Sequence, residues 1–149
     1  MNTVVDVAVE SGRLAISRSL AANAVRAVLR SARVRRAVVS VTFVNDRTIA
    51  RLNRRHLGRR GATDVIAFGF AQAGTDGAVM GDVYIGVDAA RRSARTRAIP
   101  VREELVRLVV HGTLHVLGFD HPEDESRVTS DMWRRQERLV KRVLRAGRA

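Results

Sequence analysis

The chain contains no cysteine, so it has neither a disulfide framework nor a thiolate metal site, and any transition metal must be held by histidine or carboxylate. Aromatic residues make up only 4% of its 149 residues, with one tryptophan (Trp133) and one tyrosine (Tyr84). That scarcity argues against an extended base-stacking platform, so backbone contacts outweigh base readout with any nucleic acid. Proline occurs twice, at Pro100 and Pro122, and lysine once, at Lys141. No apolar run reaches the length of a membrane span, and Met1 to Asp6 lacks a basic region followed by an apolar one. A soluble cytoplasmic protein with no membrane partner is expected.

Charge of one sign is abundant. Lysine and arginine number 27 against 15 acids, a net charge of +12, and nearly all the basic residues are arginine. Such a surface favours polyanions through counterion release, and arginine suits bidentate phosphate contact. A genome-wide arginine bias would raise the same count without such a partner. With 46% hydrophobic residues, the chain is long enough for one core and too short for two ordinary domains. Residues 1–149 are therefore expected to form a single domain.

Hydrophobic periodicity divides the chain into strands at Thr3 to Val9, Ala37 to Val44, Thr63 to Phe68 and Asp82 to Val87. Helices are expected at Ile16 to Leu29, from an Asn45 or Asp46 cap to about Arg55, at Asp88 to about Arg97, and after Pro100. A last helix is expected to open at Pro122, Glu123, Asp124 and Glu125, with Val128, Met132, Leu139, Val143 and Leu144 inward. Gly69 to Gly81 holds four glycines and reads as a mobile loop. The class is α+β: about four strands in one small sheet, about five helices packed on it, and a metal site at the end of a buried helix.

That site is the run from His111 through Gly112, His115 and Gly118 to His121, which holds three of the four histidines. His111 and His115 are four apart and share a helix face. Gly118 suits a left-handed helix end, whose reversal brings His121 back toward them. Three imidazoles with an open fourth position suit a catalytic metal, with one zinc per chain favoured over nickel, copper or iron. Metalloproteases of similar spacing carry a glutamate base after the first histidine; here that position is Gly112, whose missing side chain is expected to leave room for a bulky phosphodiester.

Around a basic turn, Arg55, Arg59 and Arg60 are candidates to grip phosphates, or else they solvate a helix face. His56 beside them touches substrate or is a plain surface residue. Asp120, Glu123, Asp124 and Glu125 offer a carboxylate near the site, although the last three also suit a helix N-terminus.

The run His111 to His121 with Pro122-Glu123-Asp124 resembles the signature of the YbeY family of bacterial ribosomal-RNA maturation factors. Leu52-Asn53, Thr63 to Phe68 and Gly81-Asp82-Val83 resemble the family's upstream blocks in order and spacing. The resemblance implies a zinc-dependent endoribonuclease cutting single-stranded RNA, with His111, His115 and His121 as metal ligands and catalytic centre. It also implies roles in small-subunit rRNA 3′-end processing and ribosome quality control, with ribosomal or small-subunit proteins as partners. Two positions depart from the family: Leu57 stands where an arginine is common, and Ala67 where a serine is. A leucine cannot hold a phosphate, so Arg55, Arg59 or Arg60 replaces that arginine or the function does without it. A metallopeptidase-like hydrolase and a non-catalytic RNA-binding assembly factor with a structural zinc remain the alternatives.

Overall fold

Strand β1 (Asn2–Val9) and strand β2 (Arg36–Val44) each turn one face inward, Val5, Val7 and Val9 from the first and Ala37, Val39, Val41 and Phe43 from the second, while Val4 and Val38 stay exposed on the other face. Between them lies helix α1 (Arg18–Ser31), where Leu20, Ala21, Ala24, Val25, Val28 and Leu29 form the buried stripe. Then follow α2 (Asp46–Leu57), β3 (Val65–Ala71), β4 (Val79–Gly86), α3 (Val87–Arg97), α4 (Val101–Val116) and α5 (Asp131–Ala146). The computed structural model describes residues 2–10, 13–71, 78–121, 126 and 130–147.

The strands lie in the order β1-β2-β4-β3, with β1, β2 and β4 parallel and β3 antiparallel to β4. Helices α1 and α4 cover one face and α5 packs on both of them, so that Val39, Val41, Phe43, Val83, Ile85, Leu105, Val109, Leu114, Leu139 and Val143 belong to one core. On the opposite face α2 covers a corner, packing Ile49 and Leu52 on Val44, Ile66, Phe68 and Tyr84. The class is α+β, as its residue pattern implies.

Local chemistry sets the boundaries. Side chains cap three helices: Ser17 accepts the Leu20 N–H at 3.0 Å, Asn45 that of Thr48 at 2.9 Å, and Ser130 that of Trp133 at 3.2 Å. Because Ser130 caps α5, the last helix does not open at Pro122; residues 122–125 and Val128 lie outside the described residues. The expected loop from Gly69 to Gly81 is shorter than its glycines suggest. Gly69 and Gly81 are paired strand residues, and only 72–77 fall outside the description.

Glycines seat α4. A Cβ on Gly112 would stand 2.5 Å from Val83 Cγ1 and 3.1 Å from Val65 Cγ2. At Gly81 it would stand 2.3 Å from Val116 Cγ1, and at Gly69 2.5 Å from the Val116 carbonyl oxygen. The helix therefore lies on β3 and β4 at a separation that no side chain at these positions permits. The vacancy at Gly112 faces the sheet, so it makes no room for a phosphodiester, contrary to expectation. Gly112→Ala should overpack this contact and lower stability by about 1–3 kcal/mol, read as a fall in denaturant midpoint at constant slope. An unchanged midpoint would show that the helix can lift off without cost.

Candidate metal centre

Helix α4 is buried along most of its length, and His111 and His115 stand on its one half-exposed side. The intervening Thr113 hydroxyl donates to the Val109 carbonyl at 2.7 Å, so no polar group is left unmet beneath them. The helix ends in a Schellman turn. Gly118, at φ +93°, donates its N–H to the His115 carbonyl at 2.9 Å, and Phe119 donates to that of Leu114 at 3.0 Å. The Arg135 guanidinium from α5 sits 4.8 Å above the Phe119 ring, and Asp120 Oδ1 accepts the His121 N–H at 3.0 Å. The turn is thus held at each step to His121.

The outcome is convergence. One ring nitrogen from each of His111, His115 and His121 lies within 4.8 Å of the others, with ring centroids 4.6–5.1 Å apart. The Nε2 atoms of His111 and His115 are 3.0 Å apart. Tetrahedral ligands at about 2.05 Å from one ion stand about 3.3 Å apart, so the spacing is close to what a shared metal requires. Among the described residues, no carboxylate joins the cluster.

Behind the cluster is a buried polar chain that sequence reasoning did not find. His111 Nδ1 lies 2.6 Å from Gln136 Oε1, and Gln136 Nε2 donates to Glu137 Oε2 at 3.0 Å. A carboxylate only accepts, so the Gln136 amide must turn its oxygen to His111, and Nδ1 carries the proton. The Nε2 lone pair of His111 then faces the other two histidines, as a metal ligand's must. Glu137 receives two bonds at 3.0 Å from Arg107, which also donates to Glu103 at 3.1 Å and Glu104 at 3.2 Å. Glu104 in turn accepts from Arg97 at 3.0 Å and from Ser93 at 2.9 Å. Burial pushes the Glu137 carboxyl up, but its bonds from Arg107 and Gln136 prevail and hold it below the usual range. Gln136 left a trace in the sequence: it is the polar member of the buried α5 stripe Met132, Gln136, Leu139, Val140, Val143.

His111 and His115 are poised neutral. Burial pushes His111 down to about 4 against the partial support of Gln136, and it also lowers His115. Neutral imidazole is the form that ligates a metal.

A cleft of about 690 Å³ opens on the cluster, walled by Leu57 and Arg59 on one side and Phe119 and Asp120 on the other. The loop carrying Arg59 is anchored by Asn53, which is buried and donates to the Gly61 carbonyl at 3.0 Å. Of the three candidate arginines, Arg59 lines this cleft, whereas Arg55 and Arg60 are exposed and outside its lining. Leu57 and Ala67 both line it, so the two departures from the family pattern fall at the cleft itself. His56 instead stands edge-on to Phe68, ring centroids 5.3 Å apart, and is not part of the cleft lining. Asp120 is at the cleft; Glu123, Asp124 and Glu125 lie outside the described residues. Asp64, not singled out from sequence, lines both this cleft and a second cavity beside His111 and His121. Among the described residues no helix is long and apolar enough to cross a membrane.

Comparison with known proteins gives a consistent result. The family model described as Endoribonuclease YbeY matches residues 7–144. A relative of that name from Syntrophus aciditrophicus is 36% identical over 77% of this chain and 74% of its own length. Another, from an Anaeromyxobacter species, is 41% identical over 74% of this chain and 60% of its own. A third, from Persephonella marina, is 33% identical over 78% and 77%. A solution structure from Thermotoga maritima has a similar fold, with a TM-score of 0.65 at 22% identity, covering 97% of this chain and 92% of that one.

The depressed His111 has a consequence for the chelator-treated protein. The unfolded chain protonates this imidazole near about 6.5, the folded chain only near 4. Between these values the unfolded state holds more protons, so its contribution to stability is complete above about pH 6.5 and is lost as pH falls toward 4. Denaturant midpoints measured across this interval should decline, and His111→Gln should flatten the decline. An equal slope in both proteins would contradict the assignment.

Proposed function

This chain belongs to the Endoribonuclease YbeY family, and on that premise we propose that it is a metal-dependent endoribonuclease acting on single-stranded RNA. The observation that carries the reading is the convergence of three imidazoles on a cleft whose lining includes Arg59. His111, His115 and His121 fit a zinc ion in donor chemistry and spacing, one ion per chain. When bound, such an ion supplies a Lewis acid and an activated water at neutral pH.

The chain's own residues do the rest. Gln136 holds His111 in the ligating tautomer, and the Arg107 network holds Gln136. Arg59 grips the RNA backbone and offsets charge that develops on the phosphate, in the role the family pattern gives to an arginine at the position of Leu57. Arg55 and Arg60, exposed beside it, extend the basic rim for a longer strand. We extend the proposal to the family's implied work: cytoplasmic 3′-end processing of small-subunit rRNA and ribosome quality control by one metallohydrolase domain spanning 1–149.

The peptidase alternative lacks its base. A side chain at 112 would run into Val83 and Val65 at its first carbon. The reading of a structural zinc is disfavoured because the histidine cluster borders an open cleft.

His115→Ala should lose both bound zinc and cleavage of single-stranded RNA, whereas Arg59→Ala should keep the zinc, bind RNA more weakly and reduce the salt slope by about one. RNA cleavage that survives in zinc-free His115→Ala protein would exclude the metal. Gln136→Leu should weaken zinc binding about 10- to 100-fold in a competition with a chromogenic chelator. Unaltered zinc affinity in that variant would remove Gln136 from the site.

A further inference from the structure

We propose that the second cavity beside the histidines receives the base of a nucleotide flanking the scissile phosphate, with Trp133 as its stacking face. The inference rests on the ribonuclease reading and names the part of the substrate that the Arg59 cleft does not account for. The cavity encloses about 460 Å³, within the range of about 300–1,000 Å³ usual for small-ligand sites. Its apolar lining comes from Trp133 and Met132 of α5, Leu108 of α4 and Val65 of β3. Arg97 and Ser93 of α3 add polar groups, and the Arg97 side chain is 40% exposed while paired with Glu104.

An indole and aliphatic side chains set among polar ones match the chemistry of a nucleobase, which has a π-face that stacks and edges that hydrogen-bond. Position supplies the second argument. The two hollows share Asp64, Val65, His111 and His121, so the histidine cluster stands at their junction. A single strand whose phosphate lies at that junction carries one nucleotide to either side. On one side Arg59 meets the backbone, and on the other the indole meets a base. The low aromatic content rules out a platform for many bases, but a single ring is enough for one.

Trp133 is the only tryptophan, so its emission reports on this cavity alone. Chelator-treated protein, which leaves the RNA intact, is titrated with single-stranded hexaadenylate and, as a backbone-only control, with ribose 5-phosphate. Hexaadenylate should quench and shift the emission, and ribose 5-phosphate should not. In the zinc-loaded protein, Trp133→Ala should raise KM for single-stranded RNA about 5- to 100-fold with kcat little changed, and Trp133→Phe should recover part of the loss. Circular dichroism of both variants separates this from misfolding. Emission indifferent to hexaadenylate, or a Trp133→Ala KM equal to that of the parent, overturns the subsite. Failure of the parent protein to cleave RNA overturns the ribonuclease reading instead, and the quenching then decides alone whether the cavity binds a base.

Discussion

The close seating of α4 on β3 and β4 is the constraint from which the rest of the site follows. Two facing glycines in the sheet and one in the helix bring backbone and valine side chains into direct contact. Interiors packed at this density do not deform continuously, so the axis of α4 is fixed in both height and direction. With the axis fixed, the half-exposed side of the helix can present His111 and His115 only toward the cleft. The Schellman turn then carries the chain back by a defined amount, and His121 meets them.

A second layer of control is electrostatic. Burying imidazoles among leucine and valine favours their neutral form, and a single amide decides which nitrogen keeps the proton. That amide is itself held by a carboxylate that an arginine neutralises. Taking such charges out of water costs several kcal/mol each unless every donor and acceptor is met. Here Arg107 donates to three carboxylates, and among the described residues no buried side-chain nitrogen or oxygen is left without a partner. The chain of bonds joins α3, α4 and α5, so the orientation of the His111 ring depends on how three helices dock.

What could be read in advance was local. The histidine spacing, the turn at Gly118, the Asn45 cap and the alternating strands are all written within a few residues of one another. Distant packing was not legible. Gly112 read as space for substrate because its neighbour on the sheet, Val83, is 29 positions away and its contact cannot be inferred from spacing. Gly69 and Gly81 read as loop residues because glycine signals turns by default, and only their pairing beneath Val116 gives them a structural task. Gln136 joins His111 across 25 positions. The sequence marked it only as a polar interruption in an apolar stripe.

The cleft has two walls of very different anchorage. The histidine wall belongs to α4, which has eleven buried residues, whereas the arginine wall follows α2, which has two, Ile49 and Asn53. Local opening free energy falls with the amount of apolar contact that must be broken. The molecule is therefore built like a vice with one fixed jaw and one compliant jaw. Opening the cleft on the arginine side breaks fewer apolar contacts than lifting the histidine helix from the sheet.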